Sequence, residues 1–332
     1  MSINQKNNEP VKRRNINSKK FDVLVVGELN VDLILNGLEK YPVAGKEIIA
    51  NKMDFTLGSS SAIFASNLST LGSKVAFFGK LGHDSFAEKI ITDLRAKNVD
   101  VSMIHKTKLA FTGISVAFNY NEDRAMVTYP GAMELLSAEE VTDEVLEQAK
   151  HLHVSSVFLQ PKLKKGIISL FARAKKLGLS TSLDPQWDPS EKWDLDLKKL
   201  LLHVDVFLPN IEEIKNLTHT KNKEDAINAI KGFANIVVIK NSNEGAYGWS
   251  GEKLSYQPAF INKKVVDAIG AGDSFNAGFI YKFMQDKPLN ECLEFGAITG
   301  AINTTCAGGT AAFRDMNTIK KIAKQKFKYT SQ

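Results

Sequence analysis

The run Val265-Val-Asp-Ala-Ile-Gly-Ala-Gly-Asp-Ser-Phe-Asn-Ala-Gly-Phe279 decides how the rest of the chain is read. It sets Gly270-Ala-Gly272 directly before Asp273, where a stretch with helical spacing begins. A helix leaves its first N–H groups without backbone partners, and small residues let anionic oxygens come close to them. Asp273 then stands as a carboxylate beside an anion hole formed by Gly270, Ala271 and Gly272. That pairing suits phosphoryl transfer, in which a base accepts a hydroxyl proton while oriented donors stabilise the charge on the transferred group. Taken alone, the pattern also fits a glycine turn capped by an aspartate.

Further segments fall in order along the chain. They include Val25-Val-Gly-Glu-Leu-Asn-Val-Asp-Leu33 and the glycine-led Gly58-Ser-Ser-Ser-Ala-Ile-Phe-Ala-Ser-Asn-Leu-Ser-Thr-Leu-Gly72, followed by Gly79-Lys-Leu-Gly-His-Asp84. Thr112-Gly113, Tyr129-Pro-Gly-Ala132, Asp184-Pro185 and Pro209-Asn-Ile-Glu-Glu213 come next. With the 265–279 run, these segments resemble the ribokinase family, the phosphofructokinase-B type of carbohydrate kinases, over residues 21 to 315. The resemblance implies a ribokinase-like α/β fold: a mostly parallel central sheet with helices on both faces, plus a small β lid. It also implies ATP and Mg2+ as cofactors and a sugar as acceptor.

Composition agrees. A chain of 332 residues with 43% hydrophobic and 24% charged side chains is long and apolar enough for a large core. No apolar run reaches the ~18 residues of a membrane span, and no secretory signal pattern is present, so a soluble, cytoplasmic protein is expected. Residues 1–20 carry Lys6, Lys12, Arg13, Arg14, Lys19 and Lys20 against Glu9, which accounts for five of the six net positive charges. This polar, Asn-rich tail reads as disordered. Without aromatic interleaving or a reading motif, its charge does not point to nucleic acid. Cys292 and Cys306 have neither zinc-knuckle nor disulfide-scaffold spacing and read as buried free thiols. The six histidines show no metal-ligand spacing.

Strand and helix patterns alternate, as in a parallel sheet covered on both faces. Strands are expected at 21–27, 74–79, 151–155, 179–184, 204–208 and 236–240. Helices are expected at 61–71, 84–97, 164–177, 210–217, 224–233, 274–285 and 289–306. Two segments break the alternation: 47–55 and 113–129 read as strands without intervening helices, the second with a turn at Asn121-Glu-Asp123. The expected organisation is therefore the tail at 1–20 and one kinase domain at 21–330, with lid strands near 46–57 and 110–131. The resemblance makes these strands a cover that excludes water from the sugar site; a β-extension that packs a homodimer through the same strands is the other reading.

Asp32 follows a strand end, where ligands gather in open α/β sheets, although a turn cap is equally served by that position. The resemblance implies that Asn30 and Asp32 hold sugar hydroxyls. It also makes Gly58, Ser59 and Ile63 part of the sugar site, with departures: Ser59 stands for a second glycine and Ile63 for an asparagine. At Ile63 either a hydrogen bond is lost or the acceptor presents an apolar or deoxygenated face, and Ser59, Ser60 and Ser61 offer hydroxyls nearby. In Asp184-Pro-Gln-Trp-Asp-Pro189, Asp188 stands where many members have arginine, which disfavours an anionic acceptor. Trp187 and Trp193 read as packing residues, with stacking of either on a sugar face as the other reading.

On the nucleotide side, the resemblance gives Asn210 and Glu213 as an N-x-x-E element, with Glu213 ordering Mg2+ through water. Without it, acidic residues in a first helical turn simply suit the helix dipole. Lys240 is placed near the triphosphate, Gly245 in the nucleotide-side turn and Gly308 in the adenine region. Asp267 and the carbonyl of Ile269 match positions for a monovalent cation, K+. The reading is an ATP-dependent kinase of a neutral sugar with Asp273 as general base. A nucleoside kinase of the same fold and a sugar- or nucleotide-binding regulator without turnover are the alternatives.

Overall fold

The structure, a computed structural model, describes residues 19–120, 123–251 and 253–330. Most of the basic tail (1–18) and Asn121-Glu122 of the expected turn lie outside the described residues. The chain opens with β1 (Phe21–Val26), β2 (Asn30–Asn36) and β3 (Lys52–Leu57), then α1 (Ser60–Thr70), β4 (Val75–Leu81), α2 (Ser85–Ala96) and β5 (Asp100–Lys106). Next come β6 (Gly113–Tyr120), β7 (Asp123–Tyr129), α3 (Asp143–Leu146), β8 (Ala149–Ser155), α4 (Pro161–Lys176) and β9 (Ser180–Asp184). Then follow α5 (Leu197–Leu200), β10 (Val206–Phe207), α6 (Ile211–Thr218), α7 (Lys223–Ile230), β11 (Ile236–Lys240), β12 (Ala246–Ser250) and β13 (Lys253–Gln257). Three helices close the chain: α8 (Ala271–Phe283), α9 (Leu289–Asn303) and α10 (Met316–Phe327).

The central sheet has nine strands in the order β13-β12-β11-β10-β9-β8-β1-β4-β5, parallel from β11 to β5 and antiparallel at β12 and β13. Phe-Asp-Val-Leu-Val-Val of β1 shows why. A strand buried on both faces reads as a near-continuous apolar run. Val23 and Val25 enter one core with residues of α1, α2, α8, α9 and α10, while Leu24 and Val26 enter a second core with α4, α5, α6 and α7.

The order of strands reverses around β1, so the carboxyl ends of β1, β8, β9, β10 and β11 open on a crevice of the kind that binds ligands in open α/β sheets. Glu28, Ser155, Asp184, Asn210 and Lys240 all sit at or just beyond such ends.

A second sheet, β3-β2-β6-β7, stands over this crevice. One row runs through all four strands, Thr56–Asp32–Ser115–Thr128, followed by Asp54–Ile34–Ala117–Met126. The sequence pattern missed β2, which continues from the first strand after only three residues. It also placed β3 too early. β3 pairs from Asn36–Lys52 to Val31–Leu57, so residues 47–50 lie beyond the end of β2, and Asn51 makes the last contact through its N–H to Asn36 O at 3.0 Å.

Candidate active site

The first turn of α8 brings the central acid into place. Gly270 is its N-cap in the left-handed region (φ 75°), and a Cβ there would lie 2.7 Å from Gly309 Cα, so only glycine fits. The helical bonds begin with Ser274 N to Gly270 O at 2.9 Å, leaving the N–H groups of Gly272 and Asp273 ahead of the first of them. The N–H of Ala271 instead donates to Ala268 O at 3.2 Å. The expected three-donor anion hole is thus corrected at Ala271, whose proton closes the preceding turn.

Asp273 is buried, and Ser60 Oγ and Gln186 Nε2 both donate to its Oδ1, at 2.5 and 3.1 Å. Burial and the neighbouring Asp184 push its pKa up to about 6, against the pull of Ser60, Lys240 and Gln186. Asp184 lies at the end of β9 with no exposed surface; its Oδ2 accepts from Lys240 Nζ at 2.8 Å, Asn276 Nδ2 at 2.5 Å and Gln186 Nε2 at 3.0 Å. Burial would lower the pKa of Lys240, but Asp184, Glu213 and Asp273 around it raise it further, so the ammonium stays charged. A Cβ on Gly272 would lie 3.7 Å from Lys240 Nζ, which puts that cation beside the helix start.

Glu213 folds back on Asn210 in a reciprocal capping box: Asn210 N donates to Oε2 at 2.8 Å, Asn210 Nδ2 to Oε1 at 2.6 Å, and Glu213 N to Asn210 Oδ1 at 2.8 Å. Burial and Asp184 raise its pKa. Asp184, Glu213 and Asp273 surround one lysine, and the buried Asn276 Oδ1 has no hydrogen-bond partner. Among the described residues no cluster of three His, Cys, Asp or Glu side chains forms a metal cage, so the oxygens of Asp184, Glu213 and Asn276 fit an Mg2+ that keeps most of its waters. With both its oxygens engaged, Glu213 fits contact through water better than direct ligation.

On the lid side the structure brings Asn30, Asp32 and Gly58 together. Asn30 Nδ2 reaches Asp32 Oδ1 at 2.9 Å and Ser115 Oγ at 3.2 Å, and Ser115 Oγ lies 2.8 Å from Thr128 Oγ1. A Cβ on Gly58 would fall 2.2 Å from Asp32 Oδ1. Ile63 packs against Gly270 and Gly309 and shares an apolar cluster with Ile34, Ala117 and Ile269.

The serines divide their work differently from the expectation. Ser59, at φ 69°, caps α1 and donates to Glu28 O at 2.6 Å, and Ser61 Oγ also turns to the Glu28 carboxylate. Only Ser60 of the three faces Asp273. Burial pushes Glu28 up to about 7, while its hydroxyl and amide donors from Ser61 and Ser156 pull the other way.

Asp188 is a correction. Its Oδ1 accepts Ser190 N at 2.9 Å and Ser190 Oγ at 2.8 Å, and its Oδ2 accepts Trp193 N at 2.7 Å. Those donors overcome burial and hold its pKa low. The carboxylate caps a local turn, so the repulsion expected between it and an anionic acceptor has no contact behind it. Trp193 is buried edge-on to Trp187 and Phe158, whereas Trp187 is half exposed. Gly245 turns the chain at φ 98°, where a Cβ would meet Gln257 O at 2.2 Å. Gly308 lies against Thr56 of the lid, and its N–H donates to Asp267. Cys292 is buried and Cys306 partly so, both free.

The roles of Ser60, Asp184, Gln186 and Asn276 were not legible as site chemistry. Asn276 carried a signal, since it lies three residues after Asp273 and so on the same helical face. Ser60 stood only among the hydroxyls offered to the sugar and Gln186 carried no such signal, because their meeting with Asp273 spans 213 and 87 residues.

The sequence matches the pfkB family carbohydrate kinase profile over residues 20–316, and the chain belongs to that family. It is an ATP-dependent carbohydrate kinase. It is 28% identical over 300 residues to a 5-dehydro-2-deoxygluconokinase of Lacticaseibacillus casei, covering 86% of this chain and 90% of the relative. A probable sugar kinase from Rhizobium etli superposes with a TM-score of 0.80 at 26% identity, over 92% of this chain and 98% of that one. A putative ribokinase II from E. coli in complex with ATP and Mg2+ shares the fold, with a TM-score of 0.77 at 22% identity over 92% and 99%. The expected ribokinase-like fold is therefore found, and kinases of this family use ATP with Mg2+. Among the described residues no helix is long and apolar enough to cross a membrane.

Proposed function

We propose that this kinase phosphorylates a hydroxyl of a neutral sugar that also carries an apolar or deoxygenated face, with Asp273 as general base. The observation that carries the base assignment is the pair of donors on Asp273 Oδ1, which fixes the carboxylate beside the start of α8. Asn30, Asp32 and Ser115 orient the sugar hydroxyls. Asp273 takes the proton as the acceptor oxygen bonds to the γ-phosphorus, and the electron pair of the broken bond leaves with ADP. The N–H groups of Gly272 and Asp273 and the ammonium of Lys240 stabilise the charge on the transferred phosphoryl. Mg2+, when bound, neutralises phosphate charge; Asp184 and Glu213 supply the oxygens that would hold it.

The acceptor assignment rests on two adjoining features. The row Thr56–Asp32–Ser115–Thr128 offers hydroxyls and a carboxylate and no cation, which suits hydroxyls rather than an acid group. Ile34, Ala117, Ile63 and Ile269 form a buried apolar cluster beside it. A second reading, a 2-deoxygluconate-type acid, is favoured by the names of relatives such as the L. casei kinase. Coupled ADP-release assays over matched neutral sugars, their 2-deoxy forms, the corresponding acids and nucleosides test both. A deoxy neutral sugar is expected to give the highest kcat/KM; preference for an acid would support the second reading and overturn the first.

Ser60→Ala probes the base directly. Loss of the hydroxyl removes a hydrogen bond that favours the charged carboxylate, so the Asp273 pKa rises further above about 6. The acid limb of the kcat/KM profile is expected to move to higher pH, with kcat at pH 8 reduced only a few-fold. An unmoved limb in a variant of unchanged Tm would show that Ser60 does not tune the base.

A further inference from the structure

The oxygens expected to surround a monovalent cation are already engaged by donors of the protein itself. Asp267 Oδ1 accepts Ile269 N at 2.9 Å and Oδ2 accepts Gly308 N at 2.9 Å. The carbonyl of Ile269 accepts Asn303 Nδ2 at 2.6 Å. Nearby, Thr304 O accepts Val266 N at 2.9 Å and Asn262 Nδ2 at 3.2 Å. These residues do not fit a site that needs the cation for order.

Behind them runs a buried polar chain joining three helices. Asn67 of α1 donates through Nδ2 to Ser274 Oγ and to Gly309 O, both at 2.9 Å. Ser274 of α8 lies 2.7 Å from Gly270 O and 3.1 Å from Asn303 Oδ1. Asn303 of α9 then closes the path to Ile269. Asn67, Ser274 and Asn303 have no exposed surface, and the Asn67 NH2, the Ser274 hydroxyl and the Asn303 amide are held by these partners, while Asn67 Oδ1 has none. Together they grip the loop at Ile269 and Gly270 on one side of the helix start and at Gly309 on the other.

A cation between carbonyl and carboxylate oxygens orders a loop by relieving the repulsion among their lone pairs. Directed N–H and O–H donors achieve the same end with no ion. We propose that Asn303, through the Asn67–Ser274–Asn303 chain, positions the anion-hole loop in place of a monovalent cation, so that turnover does not depend on K+. The proposal rests on the reading of the Gly270–Asp273 turn as the phosphoryl site.

Steady-state kinetics of the full-length enzyme at equal ionic strength in potassium, sodium or tetramethylammonium chloride tests it. Wild-type kcat is expected to agree within about twofold in the three salts, and the Tm of the ATP complex to be the same in potassium and tetramethylammonium. Asn303→Ala leaves the Ile269 carbonyl without its amide. The variant is expected to lose roughly tenfold in kcat in tetramethylammonium, to keep its sugar KM, and to recover part of the loss in potassium. A wild-type enzyme that loses about tenfold or more without K+ would overturn the proposal, as would an Asn303→Ala variant with unchanged kcat. If that variant fails to fold, the wild-type salt series still decides whether the loop needs an ion. An active Asp273→Asn enzyme would remove the base assignment instead, whatever the salts show.

Discussion

Asp273→Asn is expected to lower kcat by roughly 10²-fold or more, the usual size of a general-base contribution, while ATP binding measured directly stays nearly unchanged. The amide keeps the shape of the side chain and its place against Ser60 and Gln186, but it cannot take the acceptor proton. Because burial and Asp184 push the Asp273 pKa up to about 6, wild-type kcat/KM should rise as pH increases through about 6, as the carboxylate loses its proton. The residual activity of the Asn variant should lack that rise. The contrast with Ser60→Ala is informative: one substitution removes the base, the other only shifts its titration. Activity of Asp273→Asn within threefold of wild type, on the order of 0.6 kcal/mol, would take Asp273 out of the mechanism.

The second large effect is expected at Asp32→Ala. The carboxylate lies on the row of polar side chains that crosses the lid and is held by Asn30 at 2.9 Å. A hydrogen bond to a charged group contributes about 1.5–3 kcal/mol, so the sugar KM should rise on the order of 10- to 100-fold with little change in the KM for ATP. Equal damage to both substrates would point to a displaced lid rather than a lost sugar contact. Asn30 would then carry the same penalty, since its amide joins Asp32 to Ser115 across β2 and β6.

Much of the architecture was legible in the sequence because its signals are local. The β-branched run at β1, the helical spacing after Asp273 and the N-x-x-E turn each depend on residues a few positions apart. Asn210 and Glu213 needed only three residues of spacing to form their capping box. The lid was half legible: β6 and β7 stood out as strands with no helix between them, but β2 did not. Its alternation follows β1 so closely that no composition break marks the passage from one sheet to the other.

The site divides in the same way. By itself the sequence determined the glycine turn before Asp273 and the strand ends on which Asp184 and Lys240 sit, because backbone geometry fixes what a short motif presents; Asp32, expected just past a strand end, lies instead inside β2 of the lid. Tertiary structure alone decided which partners those groups meet. Ser60 and Gln186 converge on one oxygen of Asp273 from α1 and from the turn after β9. Asp188 turns its charge inward to cap Ser190 and Trp193, and Asn303 reaches Ile269 across 34 residues. Side-chain direction in such cases depends on the packing of helices and loops distant in sequence, and a hydrogen bond of 2.5–3.1 Å exists only once that packing has fixed both ends.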